Sequence, residues 1–132
     1  MSKPGDDRKL PAEPPLVRVT AMPADANPDG DIFGGWLMAQ MDLAAGNAAN
    51  RRSRGRCATV AVEKMSFHRP VLVGDEVSVY AAIQRVGRTS MTIGVQAWRR
   101  ARASDESGLV TEATFTFVAI DDDRRPREVP AG

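Results

Sequence analysis

The sequence predicts an α+β domain in which one long helix is wrapped by a five-stranded antiparallel sheet. Three observations carry this. Only one stretch, roughly Gly35 to Arg52, has helical periodicity. Everything after it alternates apolar and polar residues between short turns, with no room for the crossover helices that a parallel sheet needs. And the 132 residues suit a single domain with a real core.

The elements follow in order. Residues 1–15 hold four prolines, several charges and little apolar surface, which reads as a disordered arm. Leu16 to Met22 alternates enough for a first strand, stopped by Pro23. Pro28, Asp29 and Gly30 form a turn, because they fix or free φ, and Gly34-Gly35 leads into the helix. At about 100° per residue, Leu37, Met41, Ala44, Ala45 and Ala48 make its core-facing arc. Arg51, Arg52, Arg54 and Arg56 suit the helix C-terminus, and Gly55 offers the stop. Cys57–Phe67, Glu76–Val86 and Ser90–Arg100 read as strands, separated by Pro70 to Asp75 and by Gly87-Arg-Thr. Ala103 to Gly108 is a loop, Leu109 to Ile120 the last strand, and residues 122–132 a flexible charged tail beyond a domain spanning 16–121. One helix covers one face of such a sheet, so a second subunit is the economical way to complete the core.

Composition excludes several classes. A net charge of +1 gives no global field for nucleic acid, and Trp36 and Trp98 are too isolated for a base-stacking platform. Arg99, Arg100 and Arg102, like Arg124, Arg125 and Arg127, read as solvated ends of elements. No apolar run approaches the roughly 20 residues of a membrane span, and no secretory apolar region opens the chain. The single Cys57 cannot form an internal disulfide and reads as a buried strand residue in a reducing, cytoplasmic setting.

The anomaly in the pattern is Asp42. Its helical neighbours are Met38, Ala45, Gly46 and Ala49, so a carboxylate lies between an apolar stripe and residues small enough to let a ligand approach. A carboxylate there can serve catalysis, or pair with an arginine at an interface. Two turns earlier, Gly34 and Gly35 start the helix, where N–H groups without intrahelical partners point outward and could polarise a carbonyl. Asp25, Asn27, Asp29 and Gly30 imitate the start of a calcium loop, but Trp36 stands where its glutamate belongs and Pro28 intrudes. One histidine and one cysteine cannot build a Ser-His-Asp triad or a metal cluster, and His68 lies at a strand end. Arg88, Thr89 and Ser90, in the hairpin after Gly87, are either a polar turn or groups complementary to phosphate oxygens.

Asp25-Ala-Asn-Pro-Asp-Gly-Asp-Ile-Phe-Gly-Gly-Trp-Leu-Met-Ala-Gln-Met-Asp42 resembles the signature of hotdog-fold acyl-CoA thioesterases of the YciA type. The resemblance continues through Thr59 to Pro70, Val73-Gly-Asp75, Gly87 to Ser90 and Thr114 to Ala119. It implies a hotdog fold and hydrolysis of acyl-CoA to coenzyme A and a free acid, with no separate cofactor and no metal. It implies Asp42 as the catalytic carboxylate, by general base or direct attack, and Asn27 as an amide positioning water or the thioester oxygen. Gly34 and Gly35 would then hold the oxyanion, while Arg88, Thr89 and Ser90 contact substrate. It further implies a homodimer with sites at the interface, assembled as a trimer of dimers. The alternative from another class is a non-catalytic acyl-CoA-binding regulator of the same fold.

Overall fold

The structure, a computed structural model, describes residues 8–132. Strands β1 (Val17–Thr20), β2 (Cys57–Phe67), β3 (Glu76–Val86), β4 (Ser90–Arg100) and β5 (Ser107–Ala119) form one antiparallel sheet in the order β1-β3-β4-β5-β2. Helix α1 (Gly34–Ser53) lies against it, which is the helix-in-sheet arrangement expected of a hotdog fold. Alternation explains the core. Val77 and Val79 from β3, Met91, Ile93 and Val95 from β4, and Phe115 and Phe117 from β5 are buried with Leu37, Met41, Ala44, Ala45 and Ala49 of the helix. Ala49 thus takes the fully buried position that the wheel assigns to Ala48, which is only partly covered.

Two strands have different ends from those expected. β1 is shorter, because the Asp25 carboxylate accepts the Met22 N–H (3.0 Å) and a short 3₁₀ turn at Pro23–Asp25 takes the chain off the sheet. β5 starts earlier, since Ser107 and Gly108 pair with Arg100 and Arg99. The helix stop also differs. Arg54, not Gly55, adopts the left-handed conformation (φ 57°), and the N–H of Gly55 donates to the Asn50 carbonyl. Gly55 is needed for space: a Cβ there would lie 2.7 Å from Nη2 of Arg127.

That contact belongs to the largest departure from the sequence reading. Residues 122–132 do not hang free but fold back on the end of the domain. Ile120 bridges to Pro126, Val129 packs on the core, and Arg52 Nη1 donates to the Pro130 carbonyl (2.6 Å). At the other terminus, residues 1–7 lie outside the described residues, so the expectation for the arm applies to them untested. Residues 8–15 lie along the sheet, and Arg8 grips Glu112 of β5 through both guanidinium nitrogens (2.8 and 2.6 Å). That hydrogen bond is the chief reason the Glu112 pKa falls from 4.5 to about 2; His68 lowers it further against the opposing effect of burial. A depressed carboxylate stabilises the fold above its unfolded value, so the Arg8 contact contributes above pH 4.5 and fades as pH falls toward 2.

Candidate active site

Asp42 sits on the face of α1 turned toward β2, one of the two edge strands. Thr59 Oγ1 donates to Asp42 Oδ1 at 2.6 Å, which leaves Oδ2 without a protein partner among the described residues. The sequence reading places Asp42 in a costly, partly buried position. In the single chain it is exposed instead. Exposed apolar side chains are nevertheless numerous on the helix and on β2: Met38 and Leu43 are 39% and 57% exposed, and Phe33, Val60, Val62 and Phe67 are also exposed. β2 has no strand on its outer edge among the described residues, and bulges at Val60 and around Lys64 (φ 56°) interrupt its pairing with β5. The carboxylate therefore stands between two elements that expose apolar side chains, beside an open sheet edge.

Gly34 and Gly35 begin the helix as the sequence suggests. The first intrahelical bond runs from Leu37 N–H to the Phe33 carbonyl, and no side chain among the described residues caps the helix start. The amides of Gly34, Gly35 and Trp36 precede that bond and have no intrahelical acceptor. A Cβ on Gly35 would meet nothing within 4 Å, and one on Gly34 would only touch Phe67 at 4.0 Å, so the approach to these amides is open. Gly35 lies seven residues before Asp42, hence within about 20° of it on the helix and about 10 Å along the axis.

Asn27 shapes the loop that delivers the helix. Its Oδ1 accepts the N–H of Asp29 (2.9 Å) and of Asp31 (3.1 Å), and its own N–H donates to the Asp31 carbonyl (2.6 Å). The carbonyl end of the side chain is thus committed to the loop, and only its NH₂ group remains to meet a ligand. The Asp25 carbonyl, accepting from Phe33 N–H (3.1 Å), closes this loop just before the helix.

The Arg88–Ser90 hairpin lies at the same end of the sheet as Thr59. Thr59 pairs with Phe117 and Phe117 with Met91, so the start of β4 is two strands away, about 10 Å. Arg88 is exposed and pairs with Glu128 (Nε to Oε1, 3.2 Å). The Thr89 carbonyl accepts the Ala119 N–H (2.9 Å), and the Gly87 N–H donates to the Ser90 carbonyl (2.8 Å). His68 is elsewhere: it lies nine residues along β2 from Thr59, roughly 25–30 Å at strand rise, and its Nε2 is 3.0 Å from Glu112. Cys57 is partly buried, with its Sγ 2.9 Å from Ser53 Oγ. Thr59 is the contact that sequence reasoning missed, since nothing local marks a strand hydroxyl as the partner of a helix carboxylate.

A lone helix against an antiparallel sheet thus carries a carboxylate and open helix-start amides on one side. The chain belongs to the thioesterase superfamily, whose family model matches residues 29–105. Its similarity to individual members is high. An uncharacterized acyl-CoA thioester hydrolase of Zymomonas mobilis is 54% identical over 91% of this chain and 80% of its own length. The acyl-CoA thioester hydrolase YciA of Escherichia coli is 47% identical over 87% of this chain and 89% of its own. Among solved structures, a hexameric thioesterase from Yersinia pestis superposes with a TM-score of 0.88 at 45% identity, covering 93% of this chain and all of that one. An aspartate-to-alanine mutant of a hexameric broad-specificity acyl-coenzyme A thioesterase superposes at 0.85 with 46% identity, over 88% and 86% of the two chains.

Proposed function

We infer that this protein hydrolyses acyl-CoA to coenzyme A and a carboxylic acid, with Asp42 as the group that acts on the thioester. The observation that carries this is Asp42 itself: an exposed carboxylate with one oxygen oriented by Thr59 and the other without a partner among the described residues. The hydrolase names of relatives near half-identical over most of the chain support the same reaction. As general base, Asp42 takes a proton from water while the water oxygen attacks the carbonyl carbon. The oxyanion that forms is held by helix-start amides, and the carbon–sulfur bond breaks as the proton passes to the departing thiolate. As nucleophile, Asp42 attacks the carbonyl carbon directly, the carbon–sulfur bond breaks to release the coenzyme A thiolate, and water opens the resulting mixed anhydride to the free acid and the Asp42 carboxylate. The Asn27 NH₂ group positions the water or the thioester oxygen.

The site is shared between two copies of the chain. A carbonyl held by the Gly35 amide cannot also lie in contact with Asp42 about 10 Å along the same helix, but it can meet the Asp42 of a facing helix. The exposed Met38, Leu43, Val60 and Phe67 and the open edge of β2 supply the surface for that pairing. Dimers of this kind group as a trimer, in keeping with the hexameric neighbours.

The test is thiol release from a series of acyl-CoAs of increasing chain length. Hydrolysis with equal amounts of thiol and acid is expected. Tight binding with no thiol released would instead identify a non-catalytic acyl-CoA-binding regulator.

Arg88 and Ser90, with Thr89 between them, take the coenzyme A phosphates. Arg88→Ala should therefore raise KM by about tenfold, the scale of one charge-assisted hydrogen bond, with kcat nearly kept. The effect should shrink as salt rises. Unchanged kinetics would reduce Arg88 to a residue of a polar turn.

A further inference from the structure

The folded-back C-terminal segment meets the hairpin assigned above to the coenzyme A phosphates. After β5, the N–H of Asp121 donates to the Arg125 carbonyl (2.8 Å), while Asp121 Oδ1 accepts the N–H groups of Asp123 and Arg125 (2.9 Å each). Arg124, at φ 63°, helps turn the chain. On the way back, the Arg127 N–H donates to the Ala119 carbonyl and the Val129 N–H to the Arg88 carbonyl, both at 2.9 Å. Ala119 in turn donates to Thr89. The backbone of the hairpin is therefore held at Arg88 by the returning segment and at Thr89 by the strand end on which that segment lies.

Among the side chains that hold the segment, Arg127 makes the most contacts with the rest of the domain. The Arg127 guanidinium donates through Nε to the Ile120 carbonyl (2.9 Å), through Nη1 to the Ser53 carbonyl (2.9 Å), and through Nη2 to Ser53 Oγ and the Arg56 carbonyl (3.2 Å each). It thereby joins the end of α1, the start of β2 and the end of β5, in a space that exists because residue 55 is glycine. Beside it, Glu128 faces Arg88 at 3.2 Å, with the two side chains 72% and 80% exposed. So exposed a pair is weak, and an incoming phosphate can displace the carboxylate with little loss.

We propose that Arg127 is a positioning residue for coenzyme A: by clamping residues 126–129 beside β5 it holds the Arg88–Ser90 hairpin as a preformed cradle for the nucleotide phosphates. Arg127 then governs affinity for the nucleotide half of the substrate and not the cleavage of the thioester. Preorganisation of this kind lowers the ordering cost of binding. The proposal rests on the hydrolase reading and on the phosphate contacts assigned to Arg88 and Ser90.

The test compares full-length parent and Arg127→Ala on two substrates, an acyl-CoA and the matching acyl-pantetheine, which has the same thioester but no phosphates. For acyl-CoA, KM should rise about tenfold in the variant, the equivalent of a lost hydrogen bond or two, with kcat within about twofold. For acyl-pantetheine, kcat/KM should match the parent. Val129→Pro, which deletes the N–H donated to Arg88 and leaves the guanidinium contacts in place, should move the same ratio by about threefold. It decides the matter if Arg127→Ala does not fold. Equal losses on both substrates would make Arg127 merely structural and overturn the proposal, as would no loss on either. A parent inert toward both thioesters would instead overturn the hydrolase reading, and this proposal with it.

Discussion

Asp42→Asn should reduce acyl-CoA hydrolysis by roughly 10² or more while leaving the protein folded, the usual scale for loss of a positioned general base. The substitution is nearly isosteric. An asparagine Oδ1 can still accept from Thr59 Oγ1, so the local geometry survives. What is lost is the capacity to take a proton or to attack as an anion, and both routes to hydrolysis need one of these. Because Asp42 is exposed in the single chain, the variant should unfold at the same denaturant concentration as the parent when unassembled. In the assembled protein it should be equally stable or more so, since an amide is less costly to enclose than an ion.

The second large effect concerns assembly. Leu43 is 57% exposed on the helix, one residue after Asp42, and belongs to the apolar surface expected to be covered by a second copy. Leu43→Asp should place an unpaired charge in that contact, at a cost of about 3–5 kcal/mol. That weakens subunit association by at least about 10², so light scattering at micromolar concentration should show a shift toward monomer. Activity should fall with it, although Leu43 takes no part in the chemistry, because one chain alone cannot place its Gly35 amide and its Asp42 on the same carbonyl. A Leu43→Asp protein that stayed fully assembled would exclude this face from the interface. A monomer that kept its turnover would exclude the shared site.

The fold was largely legible because its signals are local. β2, β3 and β4 lie between the turn signals that the sequence shows around Gly55, Pro70 to Asp75, Gly87 and the loop after Arg100, and those devices act within a few residues. The helix was legible for the same reason, and so was the misfit of Asp42 on its wheel. What escaped reading is what is made at long range. Arg127 finds its acceptors at Ser53 and Arg56, more than seventy residues away, and in sequence its segment has the same charged, proline-bearing character as a solvated tail. Gly55 read as a helix stop because that is the commoner local use of glycine, whereas its contact with Arg127 depends on the tail being in place. Thr59 could not be matched to Asp42 without knowing that β2 runs beside the helix. The burial expected for Asp42 is missing from the single chain; the cover proposed above would be intermolecular, and no pattern within one chain encodes where a second copy will lie.

The most direct test of the central claim is isothermal calorimetry of Asp42→Asn with intact acyl-CoA, followed by mass spectrometry of the recovered ligand. Asp42 as the acting group predicts parent-like affinity and recovery of the thioester uncleaved over a time in which the parent consumes it completely. Recovery of free coenzyme A and acid, formed at close to the parent rate, would contradict the assignment of Asp42.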